Sequence, residues 1–373
     1  YAAERLAAYP ADEQATRERH AEHYAALLPS AAEAAALGEG DLEVENLRAA
    51  TDWLVHHADP VVLDAHLVRL WVLYRRKGWF REAEAVMATA LELPSIPPLQ
   101  RARWHRLLGE AHQQIGEPAA ARHHLERALE LLGSRVPTST TGWLDMLATQ
   151  VARRALGRLR PGGLAERHPD RRAVAQERAA AAFIIMEAYW VLEEQVPMLP
   201  VSLWSLNEAE RAGDLDLAVR AQAGTGMILG TVGLQRLAGR HLRAAGARAE
   251  RAQDPFTTCW LGIMGGLHWI GAGDWAAVDA VTSRALVILR RTPLHRWADE
   301  VMLLSAVARY LTARYPEAAA AAAAGMASGR DRRDPIVHFW GLIVLLETAL
   351  RADPDDPMVA GWVEEAGRLA DAD

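Results

Sequence analysis

Fourteen histidines, a single cysteine and scattered carboxylates are the side chains of this chain that could do chemistry. A zinc-type centre needs three or four converging ligands, usually signalled by His-Glu-x-x-His or by cysteine pairs. His20 and His23 stand three apart, and His56-His57 and His123-His124 are adjacent, but no such motif completes a set. They read as solvated or half-buried histidines, and no metal site is expected. Cys259, beside Trp260 and Leu261, has no histidine placed by sequence to activate it and reads as a buried structural thiol. Glu193-Glu194, ahead of Gln195 and Pro197, reads as solvated acid near a helix end rather than an acid/base pair. A phosphate-binding loop of the Gly-x-x-x-x-Gly-Lys-Ser/Thr type is excluded, because Lys77 is the only lysine. The glycine-rich run Ala223–Gly230 therefore reads as close packing inside a helix. No catalytic residue and no cofactor is expected.

If the chain is not a catalyst, its elements must explain it. It is 51% hydrophobic and 24% charged with a net charge of -7, which fits a large buried interior and argues against a dedicated nucleic-acid surface. One cysteine rules out an internal disulfide framework and suits a reducing cytoplasm. No membrane-spanning run and no signal-peptide pattern is present in the sequence, so cytoplasmic localisation is expected. The first residue is Tyr1 rather than Met, from which we expect a segment of something longer.

Residues 78–93 (GWFREAEAVMATALEL) and 116–131 (GEPAAARHHLERALEL) repeat one pattern. The glycine that opens it recurs at Gly233 and Gly273, with Ala313 in its place in a degenerate copy. The separations are 38, 117, 40 and 40 residues, and 117 is three periods of 39, so two units are expected between residues 133 and 212. A helical repeat of this length is the mark of an α-solenoid. Seven residues before each anchor stand Trp71, Gly109, Gly226, Gly266 and Ala306; five after stand Ala83, Ala121, Ala238, Val278 and Ala318; twelve after stand Ala90, Ala128, Ala245, Ala285 and Gly325. Small residues at these offsets let the helices of a hairpin, and successive hairpins, approach closely. Asp-Pro at 59–60, 254–255 and 334–335 supplies an N-cap and a first-turn proline for the next helix. The expected hairpins are 60–93, 98–132, 215–251, 255–291, 294–328 and 335–371. The Pro/Gly/Arg-rich segment 158–172 interrupts the pattern as a loop or a hinge.

The small-residue spacing around a glycine turn, with bulky Tyr74 or Trp269 four before it, resembles the tetratricopeptide repeat. The resemblance implies an all-α solenoid of stacked antiparallel hairpins in a right-handed superhelix. Residues 1–58 do not follow the frame. Their Tyr1, Glu4, Arg5, Leu6, Arg19, His20, Ala21, Tyr24 and then Glu45-Asn46-Leu47-Arg48-Ala49-Ala50 and Trp53 resemble the junction that follows the nucleotide-binding and winged-helix domains of bacterial STAND regulatory ATPases. Residues 187–242 further resemble the C-terminal repeats of such ATPases attached to class III cyclases. The expected organisation is a helical junction over 1–58, a first repeat segment over 59–157, the loop or hinge at 158–172 and a second repeat segment over 173–373. The resemblance implies a non-catalytic sensing arm that contacts an ATPase core absent from this sequence and serves a signalling or transcriptional regulator.

In such repeats the first helix of each hairpin lines the binding groove. Helical geometry puts residues 13, 10, 6, 3 and 2 before each anchor on that face. The early hairpins then present Arg75, Arg76, Arg103 and Arg106, a basic and polar stretch suited to an acidic partner. The later ones present Met227, Trp260, Ile263, Leu267, Val307 and Tyr310, an apolar stretch with Trp260 and Tyr310 as anchors. The expected occupant is a protein or peptide partner. The alternatives are a small-molecule effector in a pocket of the later, apolar part, as sugar-sensing relatives among maltose-type activators imply, and a stand-alone scaffold; direct nucleic-acid or membrane contact is not expected.

Overall fold

The computed structural model describes the backbone of residues 10–28, 44–159, 165–252, 254–290, 295–331, 334–352 and 357–370. Among these residues are seventeen helices, in two compact units, Tyr1–Ala212 and Gly213–Asp373. No described helix is long and apolar enough to cross a membrane.

The first unit contains α1 (Pro10–Leu27), α2 (Val44–His57), α3 (Pro60–Lys77), α4 (Phe80–Leu91), α5 (Pro98–Gln114), α6 (Pro118–Leu131), α7 (Thr140–Leu159), α8 (Pro169–Val191) and α9 (Gln195–Ala212). The second contains α10 (Leu215–Thr231), α11 (Gln235–Ala249), α12 (Pro255–Ala272), α13 (Trp275–Leu289), α14 (His295–Leu311), α15 (Tyr315–Asp331), α16 (Pro335–Ala352) and α17 (Met358–Ala370). Each of the six expected hairpins is a helix pair, and within each unit successive pairs stack on one another. Starts are capped as the sequence dictates. The carboxylates of Asp59, Asp254 and Asp334 accept from the backbone N–H of Val61, Phe256 and Val337.

All fifteen positions of the small-residue frame are buried. A Cβ at Gly109 would stand 2.8 Å from Leu125 Cγ, and one at Gly226 would stand 2.8 Å from Leu242 Cγ, so the seam tolerates no added carbon without a shift. The anchors turn through left-handed backbone: φ is +72° at Gly78, +82° at Gly116, +83° at Gly233 and +70° at Gly273. Ala313 takes the same conformation at +59°.

The region 133–212 departs from expectation. Its described residues hold one hairpin, α8/α9, and a long inserted helix, α7, rather than two units. Helix α8 packs on α5 and α6, as the next first helix in the stack would, while α7 packs along α9. Asn207 of α9 donates to the Gln150 backbone carbonyl at 3.0 Å, and Trp143 meets Tyr189 edge-on. The turn of α8/α9 has Glu193 at φ +57° where the other five described anchors are Gly or Ala, and Met186, Met198 and Ser205 fill its seam. Segment 158–172 lies inside the first unit. Residues 160–164 are outside the described residues, as are Tyr1, Glu4, Arg5 and Leu6 of the front-end resemblance.

Candidate binding face of the first helices

In the first unit the first helices are α3, α5 and α8. Arg103 and Arg106, one turn apart on α5, both reach the Glu177 carboxylate of α8, through Nε at 2.7 Å and 2.8 Å. Arg103 also binds Asp64 of α3, and Trp104 Nε1 donates to the other Asp64 oxygen at 2.9 Å. Arg106 adds Glu110 at 3.2 Å. Burial alone would raise the Glu177 carboxyl, but Arg106 and Arg103 outweigh it and hold it below the ordinary carboxylate range. At Asp64 burial prevails over Arg103, and the carboxyl is raised.

This network changes the meaning of the basic stretch. Two of its arginines are engaged by three carboxylates and tie α3, α5 and α8 together, so they offer no open cationic surface. Arg75 is half-buried, and the side chain of Arg76 lies outside the described residues.

An aromatic ladder takes the same place in the second unit. Trp260 of α12 is 4% exposed, donates Nε1 to the Arg220 carbonyl of α10 at 3.2 Å, and meets Phe256 and Trp297 of α14 with ring centroids 6.0 Å away in each case. Met227 and Ile263 are buried with it, and Val307 is half-buried against the Ala306–Val344 cluster. Tyr310 donates its hydroxyl to Glu347 of α16 at 2.9 Å, with the Arg351 guanidinium over its ring. Leu267 alone of the six is open, at 40% exposure. The expected apolar groove is therefore largely filled by contacts between neighbouring first helices, because an indole is large enough to span the gap between them.

A cleft of about 620 Å³ does exist in the second unit, on other residues: Leu286 and Leu289 of α13 and Arg290 just after it, Ala298, Met302 and Arg309 of α14, and Glu317 with three alanines of α15.

Two open apolar side chains on the first-helix face come from the α8/α9 hairpin, which the glycine frame did not locate. Counting back from Glu193 as the anchor puts Trp190 and Val191 at the positions that Arg75-Arg76 and Gln113-Gln114 hold on α3 and α5. Both are exposed, Trp190 by 49% and Val191 by 55%. On α3, Val61, Val62 and Val68 are exposed as well. The signal for Trp190 was in the sequence, but its turn lacks glycine and its seam carries methionine, so the frame skipped it.

Cys259 and the Glu193-Glu194 pair, singled out in the sequence, both have structural places. Cys259 is buried, and burial pushes its thiol up to about 12. Glu194 pairs with Arg122 at 2.6 Å, and Glu193 forms the turn.

No family model matches the chain, nor does any curated protein. Among solved structures it is similar to a Rap protein complexed with competence and sporulation factor, at a TM-score of 0.58 and 12% identity over 95% of this chain and 87% of that one. It also matches a STAND protein with a tetratricopeptide repeat sensor from Pyrococcus horikoshii, at a TM-score of 0.49 and 12% identity over 87% of this chain and 44% of that one. The first likeness is one of fold. The chain is an all-α solenoid of tetratricopeptide-like hairpins.

Proposed function

We propose that this chain is a non-catalytic repeat region that binds a protein or peptide segment on the first-helix face of its first unit. The observation that carries the reading is Trp190, a half-exposed indole beside exposed Val191 at a groove register position. Tryptophan is expensive to leave in water and is enriched among the residues that dominate binding energy. The similar Rap protein, captured with a bound factor, supports binding as a use of this architecture. The front-end resemblance supports a signalling or transcriptional regulator as its setting, where an occupied face would favour one arrangement of the solenoid against an ATPase core.

The test is selection of displayed random peptides on the purified chain. Enriched peptides should lose about 2 kcal/mol or more of affinity to Trp190→Ala, with the melting temperature held, because Trp190 is not core. Peptides that bind the variant as tightly as the native chain, or a selection that enriches nothing, would overturn the reading.

The cleft on α13, α14 and α15 favours a second reading, a small-molecule receptor, since its volume falls within the range such ligands use. A ligand there would touch Met302 and not Trp190, so the same substitution separates the two.

A further inference from the structure

The stack brings together side chains that no local motif connects. Glu84 of α4, His112 of α5 and Glu117, the residue that precedes α6, present ligand atoms within 4.8 Å of one another. His112 Nδ1 is 2.8 Å from Glu117 Oε2. The ring of His124, on α6, lies parallel to that of His112 with centroids 5.3 Å apart, and His124 is close enough to Glu84 to feel its charge.

We propose that Glu84, His112 and Glu117 form a binding site for a divalent transition ion of the zinc class, with water completing its shell. Imidazole with carboxylate suits Zn²⁺ or Co²⁺ better than Mg²⁺, which keeps its waters and prefers all-oxygen shells. Tetrahedral bonds of about 2.0–2.2 Å put ligand atoms about 3.4 Å apart, so the three need move only slightly to converge.

A cation already bridges the two carboxylates. Arg81 donates to Glu84 Oε2 at 2.9 Å and to Glu117 Oε1 at 2.8 Å. Its side chain is largely solvent-exposed and can swing away, so an ion and the guanidinium compete for one place. His105 Nδ1 lies 3.1 Å from His124 Nδ1, a contact that orients the ring stacked on His112. The ion would clamp hairpin α3/α4 to hairpin α5/α6.

The experiment is titration of the tag-free full chain with Co²⁺, read by its visible d–d absorption and by displacement with Zn²⁺. One equivalent should bind with the intense spectrum of a four-coordinate ion. Glu84→Gln and His112→Ala should each weaken binding by about tenfold or more, and Glu84→Gln, on a partly exposed side chain, keeps the fold intact. Arg81→Ala should tighten binding several-fold by removing the competitor. Absence of saturable binding, binding unchanged in both ligand variants, or weaker binding in Arg81→Ala would overturn the proposal.

Discussion

His66 is buried on α3 with its Nε2 2.9 Å from Thr51 Oγ1 of α2. The threonine has one proton, and it donates that proton to the Leu47 carbonyl at 2.9 Å. The imidazole must therefore be the donor at Nε2, which leaves Nδ1 buried with a bare lone pair and no partner among the described residues. Protonating Nδ1 would put a charge where nothing solvates it, and burial, with the Arg69 charge, pushes the group down from 6.5 to about 4. The unfolded chain takes up this proton first, so stability is present above about 6.5 and is lost as pH falls toward about 4. The gap corresponds to on the order of 3 kcal/mol. Urea denaturation of His66→Gln between pH 7 and pH 4.5, with a chelator present, should show a shallower loss of stability than the native chain. An unchanged slope would mean the ring is solvated in the folded state.

Hairpin turns are the feature that belongs to the element. All six described anchors are left-handed, yet Glu193 and Ala313 carry a Cβ there, at φ +57° and +59°. For a residue other than glycine that conformation costs roughly 1–2 kcal/mol. Glu193→Gly and Ala313→Gly should each stabilise their unit by about 1 kcal/mol after the extra freedom glycine gives the unfolded chain is subtracted. Thermal denaturation measures this, and a lower melting temperature in either variant would contradict it. The same geometry explains what the sequence hid. The frame was legible wherever glycine marked the turn and alanine filled the seam. The α8/α9 hairpin keeps the turn and the stack but builds them from Glu193, Met186 and Met198, and with it Trp190 went unseen. Helix α7 broke the period further, because an inserted helix adds residues without adding a repeat.

At the scale of the molecule, the histidines that burial pushes down are unevenly shared, with His268 the one in the second unit among the described residues. His66, His105 and His124, all pushed down to about 4 chiefly by burial, belong to the first unit. Hydrogen exchange corrected for intrinsic rates should therefore show helices α2, α3, α5 and α6 losing protection between pH 7 and pH 4.5 more steeply than α10 to α13. Equal loss in both units would show that carboxylates common to both dominate. The sequence by itself determined that the chain is a stack of helical hairpins and where six of them begin and end. Those facts rest on local rules: capping, helical periodicity and the small residues a close helix pair demands at fixed offsets. It did not determine which first-helix side chains remain open. Arg103 and Arg106 read as a basic face, and Trp260 as an anchor, until helices 39 to 74 residues distant in sequence supplied Asp64, Glu177 and Arg220. Only the stacking of hairpins settles such pairings, because a helix specifies the direction of its own side chains and not the identity of what it meets.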